Sequence, residues 1–406
     1  LCSDYFKKTN KHKIRKKMIG KPAFQMNPIG IRPPQIVTPP IKDKAELIKG
    51  VNYVADNSGC SAYRMIWPSY MMNYTYNSWI SDCRKVMFNE QFYDGVDVVR
   101  MQRQVSTNQF ELFKIMRKIC DKKGVRLVYE LDDIPLYEDI PLYNRNRSSY
   151  ARNDFRGNII EMMNMSDEVT VTCKFMRDYF RSKISNQNIT VIPNYIPKSW
   201  LDRYWDEQKT KINFSKHKKK PRILYAGSAS HYGSGAVEDD FTKLEEFVRK
   251  TVNQYQWVFF GGISRKLVDL YKSGKIEFYG GCPVPQYPDA IQKLKIDLSI
   301  APLLKNNFNR SKSNIKFIEF GAMGIPCICQ SGIETYDGSL YTFDTPKELD
   351  DQIKSLTIDS NSYIKACRKS RIASEKYWLD DNLIKWKEFY DNPYGDVKRV
   401  ELNKLQ

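Results

Sequence analysis

No apolar run in this 406-residue chain approaches the roughly 18–20 residues needed to cross a bilayer. Histidine is scarce, at three residues, which argues against a His-rich zinc centre. The nine cysteines are scattered without the paired spacings of a metal site, and they read as reduced thiols in a cytoplasmic protein. A signal peptide is not expected, because the basic N-terminal stretch is followed by no apolar segment. Acidic residues are missing altogether from Lys7 to Lys17, a dense basic run. What remains is ample for burial: 41% hydrophobic and 13% aromatic residues over this length suit two cores better than one. The formal net charge is +18, and residues 1–200 carry 32 Lys and Arg against 20 Asp and Glu, or +12 of it. The first half is therefore the expected face for a polyanion, with a merely basic soluble surface as the alternative.

A Pro-rich stretch from Pro22 to Pro40 has no helical or alternating period, so residues 1–45 are expected to form an extended arm. Short apolar, β-branched segments then alternate with helical patterns. In residues 46–200 they are Val51–Asp56, Val96–Gln102, Val125–Leu131, Glu168–Cys173 and Ile189–Asn194, with a helix over Phe110–Lys122. Composition turns polar and charged over 201–220, which reads as a linker. Residues 221–375 repeat the rhythm with Arg222–Gly227, Gln256–Gly262, Lys275–Gly281, Asp297–Leu303 and Ile325–Gln330. Strands spaced by helices indicate parallel sheets covered on both faces, so two doubly wound α/β domains are expected. Residues 376–406 read as a C-terminal helix returning toward the first domain.

The sharpest chemical signal runs from Asn309 to Pro326, past a strand end, through a helix and into the next strand. Ser313 and Asn314 are candidates to cap that helix, whose start then offers free N–H groups and the positive end of its dipole to a diphosphate. Arg310 and Lys312 add charge beside the phosphates. Lys316 and Glu319 are three apart and share one helix face, and a carboxylate there suits the two hydroxyls of a ribose. A charged surface helix is the alternative.

This segment, with the turn Gly227-Ser228-Ala229-Ser230-His231 and the strand at Asp297–Leu303, resembles the donor site of GT-B glycosyltransferases, especially glycosyltransferase family 4. The resemblance spans about residues 50–390 and is strongest after residue 220. It implies a GT-B fold of two Rossmann-like domains and a UDP-sugar donor on the second, with no metal required. Lys312 would meet the diphosphate and Glu319 the ribose. Many members place a second glutamate eight residues before the ribose glutamate; here that position is Ser311. Many also place a basic pair where this chain has Gly227–His231, so the sugar contacts are open.

Small residues at Gly227 and Ser228 let backbone approach a phosphate, and His231 is a candidate for a phosphate oxygen or the sugar, against an ordinary surface turn. Asn309 completes the donor set. Ser58, Gly59, Tyr63 and Arg64 follow the first strand, in the loop that faces the cleft of GT-B enzymes, and are acceptor candidates, with Arg64 available to an anion. Asp132 and Asp133 end a strand at the carboxyl edge, where open α/β sheets hold ligands; either serves as acceptor base, or as a helix cap. Lys312, Arg310, Asp132 and Asp133 form the expected catalytic group.

The basic arm, the run Arg145–Arg152 and the aromatics of Tyr63–Tyr76 suit double-stranded DNA and a flipped base. The Lys- and Tyr-rich composition resembles that of large-phage proteins, among which are GT-B enzymes that place glucose or arabinose on 5-hydroxymethylcytosine. A DNA-modifying glycosyltransferase is thus the leading expectation. The alternatives are a cell-envelope or exopolysaccharide glycosyltransferase acting on a lipid-linked or glycan acceptor, and a non-catalytic DNA-binding protein on the same fold.

Overall fold

The computed structural model describes residues 48–217, 220–233 and 237–392, so the basic arm, including Lys7–Lys17 and Pro22–Pro40, lies outside the described residues. Twelve strands form two six-stranded sheets, and every printed pairing is parallel. The first holds β1 (Lys49–Tyr53), β2 (Trp79–Cys83), β3 (Val98–Gln102), β4 (Arg126–Glu130), β5 (Glu168–Val171) and β6 (Ile189–Val191), in the order β2-β1-β3-β4-β5-β6. The second holds β7 (Arg222–Gly227), β8 (Gln256–Gly261), β9 (Glu277–Gly280), β10 (Leu298–Ala301), β11 (Cys327–Gln330) and β12 (Tyr341–Phe343), in the order β12-β11-β10-β7-β8-β9. Strand order reverses between β1 and β3 in one sheet and between β7 and β10 in the other. Those are the points where an open parallel sheet leaves a crevice at its carboxyl edge.

Eleven helices of eight or more residues lie among the described residues. In the first half they are α1 (Trp67–Thr75), α2 (Thr107–Lys123), α3 (Asn153–Met165) and α4 (Lys174–Arg181). Next come α5 (Glu207–His217), α6 (Thr242–Thr251), α7 (Tyr287–Leu294) and α8 (Ile315–Ala322). The last helices among the described residues are α9 (Pro346–Thr357), α10 (Ser360–Glu375) and α11 (Leu379–Asp391). Helix α2 starts and stops for local reasons: Ser106 and Gln109 form a reciprocal capping box, and Gly124, at φ +68°, takes the left-handed turn at its end.

Residues 201–220, read as a linker from their polarity, carry α5. Its Phe214 ring stacks on Tyr363 of α10 at 4.0 Å between centroids, so one apolar anchor outweighs a polar composition. The chain passes between the sheets twice at one place, where Ile196 N–H donates to Tyr377 O (3.1 Å) and Leu379 N–H to Ile196 O (2.8 Å). Helix α11 then packs on α1 of the first sheet. There the Arg100 guanidinium lies 4.7 Å from the Trp386 ring centroid, and Arg126 donates to Phe389 O at 2.5 Å.

Beneath the first sheet's carboxyl edge, Glu130 is completely buried between two guanidiniums, Arg64 at 2.5 Å and Arg100 at 2.8 Å, and it also accepts from Thr170. Removing the one carboxylate strands two buried cations. We expect Glu130→Ala to lose about 3–5 kcal/mol of stability, measured by denaturant unfolding, where a loss under about 1 kcal/mol would contradict this account.

Candidate functional site

Helix α8 links β10 to β11, beside the crevice between β7 and β10, and its first turn faces the first domain. The segment before it is fixed from across the cleft. Ile134 N–H donates to Ser311 Oγ (3.2 Å), and Asn194 Nδ2 donates to Ser313 Oγ (2.9 Å). Asn314 does stand at the N-cap position, but its side chain makes no capping bond and instead donates to the Tyr377 hydroxyl (3.0 Å). The expected side-chain cap is therefore absent. Helical bonding starts at Ile318, whose N–H reaches Asn314 O, so the amides of Ile315, Lys316 and Phe317 have no helical carbonyl to meet.

Around this turn sit two half-buried cations. The Lys312 ammonium lies 5.0 Å from the Phe308 ring centroid and the Lys316 ammonium 5.4 Å from that of Tyr225. Neither forms an ion pair within 4 Å among the described residues. Burial lowers the pKa of Lys312, against the pull of Asp240 and Asp133. Burial, helped by the charge of Lys312, lowers Lys316 to about 8. Glu319, one turn on, is 8% exposed, and burial pushes its pKa up to about 7 despite a hydrogen bond from the Tyr63 hydroxyl and the charge of Lys316. A buried helix replaces the charged surface helix that was the alternative.

Asp240, which the motifs did not flag, organises the opposite wall. Its Oδ1 accepts from Tyr143 OH (2.7 Å), Asn309 Nδ2 (2.7 Å) and Leu304 N–H (2.9 Å), and its Oδ2 meets His231 Nδ1 at 2.7 Å. Burial opposes the charge on Asp240, yet the His231 bond and Lys312 hold its pKa below the ordinary carboxylate range. Burial, with Lys312 and Lys316, drives the His231 pKa down to about 3. The imidazole is thus neutral, with Nδ1–H donating to Asp240 and Nε2 left as an acceptor. Of the two partners expected for His231, this arrangement suits a sugar hydroxyl and not a phosphate oxygen. The floor is backbone: Gly261, at φ +89°, passes so close to Gly227 that a Cβ there would lie 2.7 Å from Gly227 O. Ser228 Oγ is engaged with Ser230 Oγ at 2.6 Å.

Three expected residues are elsewhere. Arg310 turns outward into a forked pair with Glu334, its carbon 4.2 Å from the Phe175 ring centroid, so its charge is spent away from Lys312. Asn309 is completely buried in the Asp240 network. Arg64 is buried against Glu130, Ile192 O and Asn194, leaving no exposed group for an acceptor anion. Asp132 is also occupied, by Arg103 at 3.2 Å, and Arg103 bridges on to Asp56 at 2.6 Å. Asp133 remains: it makes no hydrogen bond or ion pair among the described residues, and burial plus the Asp132 charge push its pKa up to about 7. Ser58 donates both its N–H (2.8 Å) and its hydroxyl (2.7 Å) to Asp56 Oδ1, and Gly59 leaves room for the Tyr63 ring. Among the described residues no group of three or more metal-ligating side chains comes together.

No family model matches the chain, and no curated protein matches it in sequence. Solved structures do match in shape. HepE from Anabaena, in complex with UDP and glucose, aligns with a TM-score of 0.56 at 10% identity, over 84% of this chain and 99% of that one. A glycosyltransferase from Rickettsia africae ESF-5 gives 0.55 at 14% identity, over 86% and 99%. The fold is GT-B. The cleft between the two sheets holds Lys312, Lys316, Glu319, His231 and Asp133.

Beside Asp133, two further groups in the cleft titrate in opposite senses. The Glu319 carboxylate forms as pH rises through about 7, and the Lys316 ammonium is lost as pH rises through about 8. If both charged forms bind donor, affinity for UDP-glucose, whose diphosphate diester does not titrate there, peaks between those values. Calorimetric titration from pH 6 to 9 should show this bell, with Glu319→Gln removing its rising limb; a flat profile would contradict it.

Proposed function

We propose that the protein transfers a sugar from a UDP-sugar to an acceptor hydroxyl. The observation that carries this reading is the meeting of two half-buried lysines, neither in an ion pair among the described residues, with the uncapped start of α8 and a ribose-competent carboxylate one turn on. A diphosphate supplies the negative charge that this turn lacks. Lys312, Lys316 and the amides of residues 315–317 would hold it and stabilise the charge that grows on it as the glycosidic bond breaks. Glu319 accepts the ribose hydroxyls, and His231 Nε2 accepts a hydroxyl of the sugar. Asp133, with no partner of its own, orients or deprotonates the acceptor hydroxyl at the opposite edge. The UDP and glucose bound by HepE, a protein of the same fold, support the donor class.

For the acceptor, 5-hydroxymethylcytosine in DNA is the reading that the chain's charge of +18 supports. Its hydroxymethyl oxygen would attack the anomeric carbon. A specific observation favours the other reading, a glycan or lipid-linked hydroxyl. The acceptor edge gathers Asp56, Asp132 and Asp133 around the single Arg103, an acidic surface that repels a phosphate backbone. Tyr63 and Trp67, expected to stack on an extruded base, are core residues. Of the basic run, Arg147 lies 3.7 Å from the Tyr137 ring centroid and donates to Ile140 O, while Arg152 pairs with Asp154.

Radiolabelled UDP-sugars offered with hydroxymethylated DNA, unmodified DNA, glycans and lipid-linked sugars decide between them by where label moves. Lys312→Ala should lower kcat/KM about 10²- to 10³-fold on whichever acceptor is used. Absence of transfer and of donor hydrolysis with every donor would remove the glycosyltransferase reading.

A further inference from the structure

Glu319 carries a contact that a donor-ready site does not need. Its carboxylate accepts a hydrogen bond from the hydroxyl of Tyr63, which belongs to the other domain, 256 residues away in sequence. The Tyr287 hydroxyl of α7 bears on the same carboxylate more weakly. Two hydroxyls directed at one carboxylate reproduce what a ribose diol would offer it. At 8% exposure, Glu319 has no room for a third partner.

Of the two hydroxyls, that of Tyr63 comes from the other domain and from a π-helical turn, Ala62–Ile66, a geometry that recurs at functional sites. Tyr287, by contrast, is carried by a regular helix of the donor domain. The Tyr63 ring meets Trp67 edge-on at 4.7 Å, Trp67 meets Trp200 at 4.6 Å, and Trp200 stacks on Tyr287 at 6.3 Å. The hydroxyl of Tyr63 thus terminates an aromatic seam that closes the two domains on each other.

We propose that Tyr63 is a latch that competes with the donor ribose for Glu319, so that donor binding releases the acceptor-side loop 57–66 and makes the order of binding donor first. The proposal rests on the donor reading above. In the empty cleft the latch satisfies a buried carboxylate that burial would otherwise penalise. When the ribose arrives it replaces hydroxyl with hydroxyl, and the tyrosine is free to turn toward the acceptor edge beside Gly59.

Tyr63→Phe keeps the ring and its packing and removes only the competing hydroxyl. It should bind UDP-glucose about tenfold more tightly than the unaltered chain, as expected when a charge-assisted hydrogen bond no longer has to be broken. Hydrogen–deuterium exchange over residues 57–66 of the ligand-free protein should rise in the variant, and Tyr287→Phe should leave that segment unchanged. A purely structural role for Tyr63 would weaken donor binding. Equal or weaker affinity, with unchanged exchange, overturns the latch. If no chain binds UDP-glucose, the donor reading fails by itself. Faster exchange in Tyr63→Phe then still supports a clasp between the domains, and unchanged exchange removes it.

Discussion

Holding the half-buried Lys312 and Lys316 four residues apart, with no carboxylate in contact with either, is the constraint around which the cleft is arranged. Two ammonium groups so placed repel each other and are stabilised by little else. The nearest answer to them is Asp240, kept ionised by bonds from His231, Tyr143, Asn309 and the Leu304 amide. Those donors come from both domains, so one carboxylate ties together the turn after β7, the loop after β10 and the stretch after β4. The neutrality of His231 and the depressed pKa of Lys316 follow first from burial and then from this crowding of positive charge. A ligand bearing two negative charges would relieve what the fold has concentrated there.

The same logic divides the molecule's arginines into two kinds. Arg64, Arg100 and Arg126 are internal, each matched by a buried glutamate and by aromatic faces of α11. Arg103 sits at the edge, with a left-handed backbone at φ +42°, and serves as a cross-link between Asp56 and Asp132. These four guanidiniums are thus consumed within the first domain. A count of lysines and arginines along the chain overstates what a polyanion would meet there.

Much of the fold was legible because parallel strands buried on both faces are written as short apolar runs: the β7 segment Arg222–Gly227 was read to the residue. The two strands missed, β2 and β12, are both sheet edges. Trp79–Cys83 is only partly buried, and Tyr341–Phe343 is three residues long, so neither has the pattern of a central strand. In the site, Lys316 and Glu319 were legible from helix periodicity and the strand–helix–strand context. Arg310 was not, because Glu334, its partner, lies 24 residues away. Arg64 looked like an exposed loop cation for the same reason: Glu130 is 66 residues distant and nothing local announces the pair. Asp240 was missed because its importance is a sum of four contacts, three of them from distant segments.

The C-terminal helix has a consequence for how the chain is made. Helix α11 follows the whole second sheet in sequence, yet its Trp386, Phe389 and Tyr390 cover Arg100 and Arg126 of the first. The first domain therefore lacks part of its core until Leu379–Asp391 have left the ribosome. During synthesis its arginine-bearing face must wait, uncovered, while the second domain forms behind it. The half of the molecule made first is the half finished last.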